Sequence, residues 1–254
     1  MDVVGSSDQG APSFVRLAAH PLRWRLLSEL SAGDYQVREL VELVGEPQNL
    51  VSYHLRRLRD GALVTARRSS FDARQTYYHL DLERCAQELA ATGAALHPAL
   101  RLGPVAPAIG TARPCAVLFT CTGNSARSPI AEALLRHRGG GRVEVASAGS
   151  HPRRELHPEA VQVMRERYGI DLADRRPRHL DAVAGRRFDY VITLCDKVRE
   201  VCPDFRDRPR RVHWSIPDPA GADGAAFVRA ADEIDARVRY LLPRLVHHER
   251  SGND

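Results

Sequence analysis

The stretch Val117-Leu118-Phe119-Thr120-Cys121-Thr122-Gly123-Asn124-Ser125-Ala126-Arg127-Ser128-Pro129 constrains this chain more than any other. An apolar strand runs into a cysteine, five small or polar residues follow, then an arginine, and Ser-Pro opens a helix. A strand passing through a tight loop into a helix is the unit of a parallel α/β sheet, with the chemistry at the carboxyl end of the strand. The amides of the loop formed by Thr122, Gly123, Asn124, Ser125 and Ala126 can converge on one point, and the helix starting near Arg127 and Ser128 aims its own N–H groups there. Arg127 adds a planar fork that matches a tetrahedral oxyanion. The same positive surroundings favour a thiolate at Cys121. The competing reading is a buried cysteine at a strand end with an unrelated arginine nearby. It leaves the agreement of strand, small loop, arginine and Ser-Pro unexplained.

These residues resemble the anion loop of low-molecular-weight protein tyrosine phosphatases and of the arsenate reductases that share their fold. The resemblance extends over residues 115–247 and takes in Ser147-Ala148-Gly149-Ser150, Gly169-Ile170-Asp171, the strand ending in Cys195, and Asp218-Pro219. It implies strands at 116–120, 143–147, 188–194 and 211–214, alternating with helices on both sheet faces. It also implies that Ser128 donates a hydrogen bond to the Cys121 thiolate and that Asp218 is the general acid. A carboxylic acid near the leaving oxygen protonates it as the bond to arsenic or phosphorus breaks. The phosphatases follow their Asp-Pro with tyrosines that grip phosphotyrosine. Here Ala220-Gly221-Ala222 follows, which favours a small inorganic substrate.

Cysteine usage separates the two activities. The chain has Cys85, Cys115, Cys121, Cys195 and Cys202. A phosphatase needs one nucleophilic cysteine and water, whereas reducing arsenate takes two electrons, which two thiols supply by becoming a disulfide. Thr193-Leu194-Cys195-Asp196 and Val201-Cys202-Pro203 resemble the redox segment of thioredoxin-coupled arsenate reductases. The resemblance implies that Cys195 attacks Cys121 and Cys202 then attacks Cys195, with an external dithiol such as thioredoxin closing the cycle. Many relatives carry another cysteine just before the loop arginine, where this chain has Ala126. Two alternatives stay open: a phosphatase, and a regulator whose second domain only binds an oxyanion.

The first third of the chain follows another plan. Leu22, Leu26, Leu27 and Leu30 share a helical face, and Val37, Leu40, Val41 and Val44 form a second set ended by Gly45. A third helix begins at Glu46-Pro47 with Val51, Leu55 and Leu58 inward. Residues 63–67 and 76–80 alternate like a hairpin. Pro47-Gln48-Asn49-Leu50-Val51-Ser52-Tyr53-His54-Leu55-Arg56-Arg57-Leu58 resembles the recognition helix of ArsR-type winged helix-turn-helix repressors, over residues 12–93. That resemblance implies a homodimer, paired through the first helix and the helix around 81–91, on an inverted-repeat DNA operator. Gln48, Asn49, Ser52, Tyr53 and His54 are the candidates for base contact. Arg56, Arg57, Arg67, Arg68 and Arg74 are the candidates for phosphate contact. Between residues 50 and 75 six arginines stand against two aspartates, so positive charge gathers on this helix and hairpin. The Cys-x-Cys pair of many ArsR-type sensors is missing from Tyr35-Gln36-Val37-Arg38-Glu39-Leu40. No dense His or carboxylate cluster points to a metal.

The 254 residues accommodate two cores. The expected organisation is an α+β winged helix-turn-helix domain at 12–93, a Pro- and Gly-bearing linker at 94–114, and an α/β domain at 115–247. No apolar run approaches membrane-spanning length and no signal peptide is seen, and the cysteines suit a reducing cytoplasm.

Overall fold

The computed structural model describes residues 11–97, 100, 114–201 and 209–247. The chain divides into two compact units, Met1–Ala66 with Tyr77–Val105, and Arg67–Thr76 with Ala106–Asp254. Among the described residues no helix is long and apolar enough to cross a membrane.

The first unit runs α1 (Ser13–Ala18), α2 (Pro21–Leu30), β1 (Tyr35–Gln36), α3 (Val37–Val44), α4 (Gln48–Asp60), β2 (Val64–Arg68), β3 (Thr76–Leu80) and α5 (Leu82–Leu96). Pro21 sits in the first turn of α2, where its missing N–H costs nothing, and the His20 ring accepts from Leu22 N at 3.2 Å. Gly45 closes α3 at φ 65°, a left-handed value that glycine adopts freely, and this turns the chain into α4. Leu26, Leu40, Val51, Leu55 and Leu58 fill the core between α2, α3 and α4. The strands form a sheet in the order β1-β3-β2.

Three features depart from the sequence expectation. Strand β1 pairs antiparallel with β3 over only two residues, Tyr35 with Tyr78 and Gln36 with Tyr77, too few to show a period. Helix α1 precedes the expected first helix and buries Phe14 and Ala18. Helix α5 starts at the Asp81 cap, whose carboxylate accepts from Arg84 N at 2.8 Å, and runs three residues into the expected linker. Ala94, Ala95 and Leu96 are strong helix formers, and nothing breaks the helix before His97-Pro98. Most of the remaining linker lies outside the described residues.

The second unit runs β4 (Cys115–Cys121), α6 (Arg127–Gly139), β5 (Val143–Gly149), α7 (Pro158–Tyr168), β6 (Tyr190–Thr193), α8 (Asp196–Val201), β7 (Arg210–His213) and α9 (Gly224–His247). The sheet order is β5-β4-β6-β7 and every pairing is parallel. Strand β4 is central and buried on both sides. Val117, Phe119 and Cys121 face a core shared with α6, α7 and α9, while Ala116 and Leu118 face a smaller one closed by the 3-10 turn Leu180–Val183. This is why β4 reads as a continuous apolar run rather than an alternating one.

Candidate functional site

Parallel register brings two of the expected redox cysteines to the same sheet edge. Thr120 pairs with Thr193, so Cys121 ends β4 just as the chain beyond β6 reaches Leu194 and Cys195. Neighbouring strands lie about 4.8 Å apart. The Thr122 hydroxyl, on the residue after Cys121, has its oxygen 3.3 Å from Cys195 Sγ. Both thiols are buried and neither is in a disulfide. Burial pushes the Cys195 thiol above its ordinary value, against the opposing pull of the Arg127 charge. Cys202 lies outside the described residues.

The loop after Cys121 is held from outside. Thr122 O accepts from His151 N at 2.9 Å, Gly123 O from Arg153 N at 2.9 Å and Ser125 O from His157 N at 2.8 Å. With three carbonyls engaged by segment 149–157, the amides of residues 122–126 find no protein acceptor among the described residues. That is the arrangement of an anion nest. Gly149 makes the approach possible, because a Cβ there would lie 2.6 Å from Thr122 O and 2.9 Å from Asn124 N.

Asn124 takes a left-handed φ of 43°, which Asn tolerates better than most residues. Its fully buried amide donates to Ser128 Oγ and to Ser147 Oγ, both at 2.9 Å, while its oxygen accepts from Arg178 N at 2.7 Å. Ser147 gives its one proton to Glu132 at 2.6 Å, so its oxygen can only accept from Asn124. Ser128 also accepts from Asn124, and its hydroxyl lies 3.0 Å from Cys121 Sγ, where it donates once the sulfur is a thiolate, which has no proton of its own to give. A carboxylate on α6 thus orders the hydrogen bonds from Ser147 through Asn124 to Ser128, the residue that touches the sulfur. The sequence reading included Ser128 but missed Glu132 and Ser147. The only signal was a serine in Ser147-Ala148-Gly149 and an acidic residue inside an otherwise apolar helix start.

Arg127 is buried, donating to Ile216 O at 3.1 Å and to Asp218 Oδ2 at 2.9 Å. The expected oxyanion fork and the expected general acid therefore hold each other at the mouth of the loop, with Asp218 half-exposed. His151, Arg153 and Lys197 stand around the same mouth. Beyond Cys195, the Asp196 carboxylate accepts from Ser215 Oγ at 2.8 Å and His213 Nε2 at 3.1 Å. Burial alone would raise Asp196, but the bonds from His213, Ser69, Ser215 and Ser70 N together outweigh it and hold the carboxyl below the usual carboxylate range.

In the first unit, Gln48, Asn49, Ser52, Tyr53, Arg56 and Arg57 line the exposed side of α4; in the segment Arg67–Thr76, grouped with the second unit, Arg68 and Arg74 are exposed and Arg67 is half-buried. His54 is a correction: it is buried, its ring 4.2 Å from that of His20, and its Nδ1 has no partner. At i+3 from Val51, it falls on the inward face of the helix. Burial first, then the charges of His20 and Arg23, lower its pKa. A histidine with a folded pKa below its unfolded one stabilises the fold above the unfolded value near 6.5, and that contribution is lost as pH falls through the folded value. The first unit is therefore expected to weaken on acidification below about pH 6.5. Denaturant midpoints against pH check this, and His54→Leu should flatten the slope. Cys85 is buried, and burial together with Asp81 and Glu88 pushes its thiol up to about 11, so it rests protonated.

A cysteine at the foot of an amide nest, on the central strand of a parallel sheet and followed by a buried arginine, defines a phosphatase-type oxyanion-handling α/β protein. Residues 116–251 match the low molecular weight phosphotyrosine protein phosphatase family, and the chain belongs to that family. Residues 20–66 match the arsR family of bacterial regulatory proteins, so an ArsR-type helix-turn-helix precedes the phosphatase-fold unit. An arsenate reductase of Brevibacillus brevis is 39% identical over 123 residues, which are 48% of this chain and 90% of that protein. Arsenate reductase 1 of Bacillus cereus is 38% identical over the same shares. A solved arsenate reductase from Archaeoglobus fulgidus is 32% identical, with a TM-score of 0.44, covering 50% of this chain and 98% of that one.

Proposed function

We propose that this is a cytoplasmic, homodimeric DNA-binding regulator (residues 12–93) joined through 94–114 to an arsenate reductase (residues 115–247). The observation that carries the enzymatic reading is Cys195 at the end of the strand beside that of Cys121, with its sulfur 3.3 Å from the hydroxyl of Thr122, the residue after Cys121. A phosphatase has no use for a second thiol there. The curated relatives that the chain matches over 90% of their length are arsenate reductases.

The reaction follows from the groups in reach. Arsenate settles on the amides of residues 122–126 and takes the Arg127 fork from Asp218. Asp218, released, accepts the proton that Cys121 loses. The Cys121 thiolate, hydrogen-bonded by Ser128, attacks arsenic, and Asp218 returns the proton to the departing oxygen as water leaves. Cys195 then attacks Cys121 Sγ. The S–As electron pair stays on arsenic, which leaves as arsenite, and a 121–195 disulfide forms. Cys202 attacks Cys195, Cys121 leaves as thiolate, and a dithiol such as thioredoxin reduces the 195–202 disulfide. The deciding assay sets reductant-dependent arsenite production beside hydrolysis of a chromogenic phosphate ester. Hydrolysis without reductant-dependent arsenite would refute the reductase and leave the phosphatase.

For the DNA-binding unit, Gln48, Asn49, Ser52 and Tyr53 reach base edges from α4, while Arg56, Arg57, Arg68 and Arg74 neutralise phosphates. Replacing Arg56 and Arg57 by alanine is expected to weaken binding to all sequences and to lower the salt slope by about 2. Gln48→Ala is expected mainly to relax sequence preference. Titrating operator and random duplexes at several salt concentrations checks both. An unchanged slope in the double variant would remove these arginines from the interface.

A further inference from the structure

Behind the catalytic loop the second unit has another cationic concavity, a cavity of about 250 Å³ lined by Arg136 of α6 and by Arg175, Arg176 and Arg178 of the segment after α7. Glu132 and Asp174 are its only carboxylates, so two positive charges are in excess. Glu132, almost fully buried, is saturated. Its Oε1 accepts from Arg136 at 2.7 Å and distantly from Arg175 at 3.5 Å, and its Oε2 accepts from Ser147 at 2.6 Å and Arg178 at 3.0 Å. Among the described residues Arg176 pairs with no acid, and its hydrogen bonds go to the carbonyls of Ala173 and Arg175.

Each guanidinium carries five donors. Here one carboxylate with no acceptor capacity left stands among three guanidiniums, and a fourth has only backbone partners. Arginines on an ordinary surface radiate into water, whereas these converge from two elements on one hollow. Like charges so placed repel one another, and a multivalent anion relieves that repulsion. The planar forks match the edges of a tetrahedral oxyanion, and a dianion balances the excess charge.

We propose that this cavity, which Asn124 of the Cys121 loop also lines, is a second oxyanion site distinct from the amide nest, and that it takes a dianionic tetrahedral group such as phosphate or arsenate, free or at the end of a small ester. Arg175 and Arg176 supply most of its unused donors. The site is linked to the loop by one hydrogen bond through Arg178 N to Asn124, and by two through Glu132 to Ser147 and Ser147 to Asn124.

The test is calorimetric titration of the reduced full-length chain with inorganic phosphate, with glycerol phosphate in a parallel arm. The wild type is expected to bind two phosphates. Arg127→Ala should keep one, the arginine-cavity site. The Arg175→Ala/Arg176→Ala variant should keep the other, with affinity for the lost site down at least tenfold. Arg176→Ala alone, which removes only two hydrogen bonds to nearby backbone carbonyls, should weaken the same site if the double variant folds poorly. Tighter glycerol phosphate binding at the site that survives Arg127→Ala would identify an ester ligand, and equal or weaker binding a free oxyanion. A single site in the wild type, abolished by Arg127→Ala and untouched by loss of Arg175 and Arg176, would overturn the proposal.

Discussion

Cys121→Ser is expected to lower arsenate turnover on the order of 10⁴-fold or more, because a serine hydroxyl at neutral pH is a far poorer nucleophile than a thiolate. The substitution leaves the rest of the site standing. The amides of residues 122–126, Arg127 and the carbonyl clasp from His151, Arg153 and His157 do not depend on the sulfur. The serine variant should therefore still bind phosphate while producing no arsenite. Turnover is read as arsenite released with excess dithiol, and binding as protection of the fold by phosphate. Near-normal turnover in Cys121→Ser would show that another group attacks arsenic.

Interrupting the relay should give two different stalled states. Cys195→Ser is expected to stop the enzyme at the Cys121–arsenic adduct. Cys202→Ser should stop it one step later, after a single arsenite, with Cys121 and Cys195 linked. Steady turnover should fall at least about 10³-fold in both. Peptide mapping of the non-reduced protein separates the outcomes. The geometry adds a demand. Helix α8 starts immediately after Cys195, and seven helical residues would hold Cys195 and Cys202 about 10 Å apart. A disulfide needs Cα atoms within about 7 Å. If the proposed 195–202 bond forms, a helical spacing between the two cysteines has to be given up, while His213 and Ser215 hold Asp196 at the start of α8. Normal cycling of both variants with thioredoxin would refute the relay and favour a small thiol acting directly on the adduct.

The parts of the site that lie close together in sequence were legible in it. The Cys121–Ser128 loop, the strand before it and the helix after it are one local unit, and short-range chemistry fixes all three. The resemblance placed Asp218 and Cys195 near the loop, and the register of β4 with β6 shows how the sheet brings Cys195 there. Glu132 and Ser147 stayed hidden because their role exists only through tertiary hydrogen bonds. An acidic residue on a helix reads as solvated until the sheet closes over it. His54 failed for the opposite reason: polarity put it on the DNA face, while helical spacing from Val51 and Leu58 had already put it inside. The two-residue strand β1 and the six-residue helix α1 are too short to display any period.

The clasp on the loop carbonyls ties occupancy of the nest to the integrity of a distant stretch of chain. The bonds from His151, Arg153 and His157 that turn the amides inward are also tertiary bonds of the folded state. Opening segment 149–157 dismantles the nest, and filling the nest opposes that opening by thermodynamic linkage. A ligand at a hundred times its dissociation constant adds about 2.7 kcal/mol to the stability of whatever it binds. In a cell meeting an oxyanion surge, the protein would become harder to unfold and to degrade at the moment its substrate appears, so its steady-state abundance would rise without any change in synthesis.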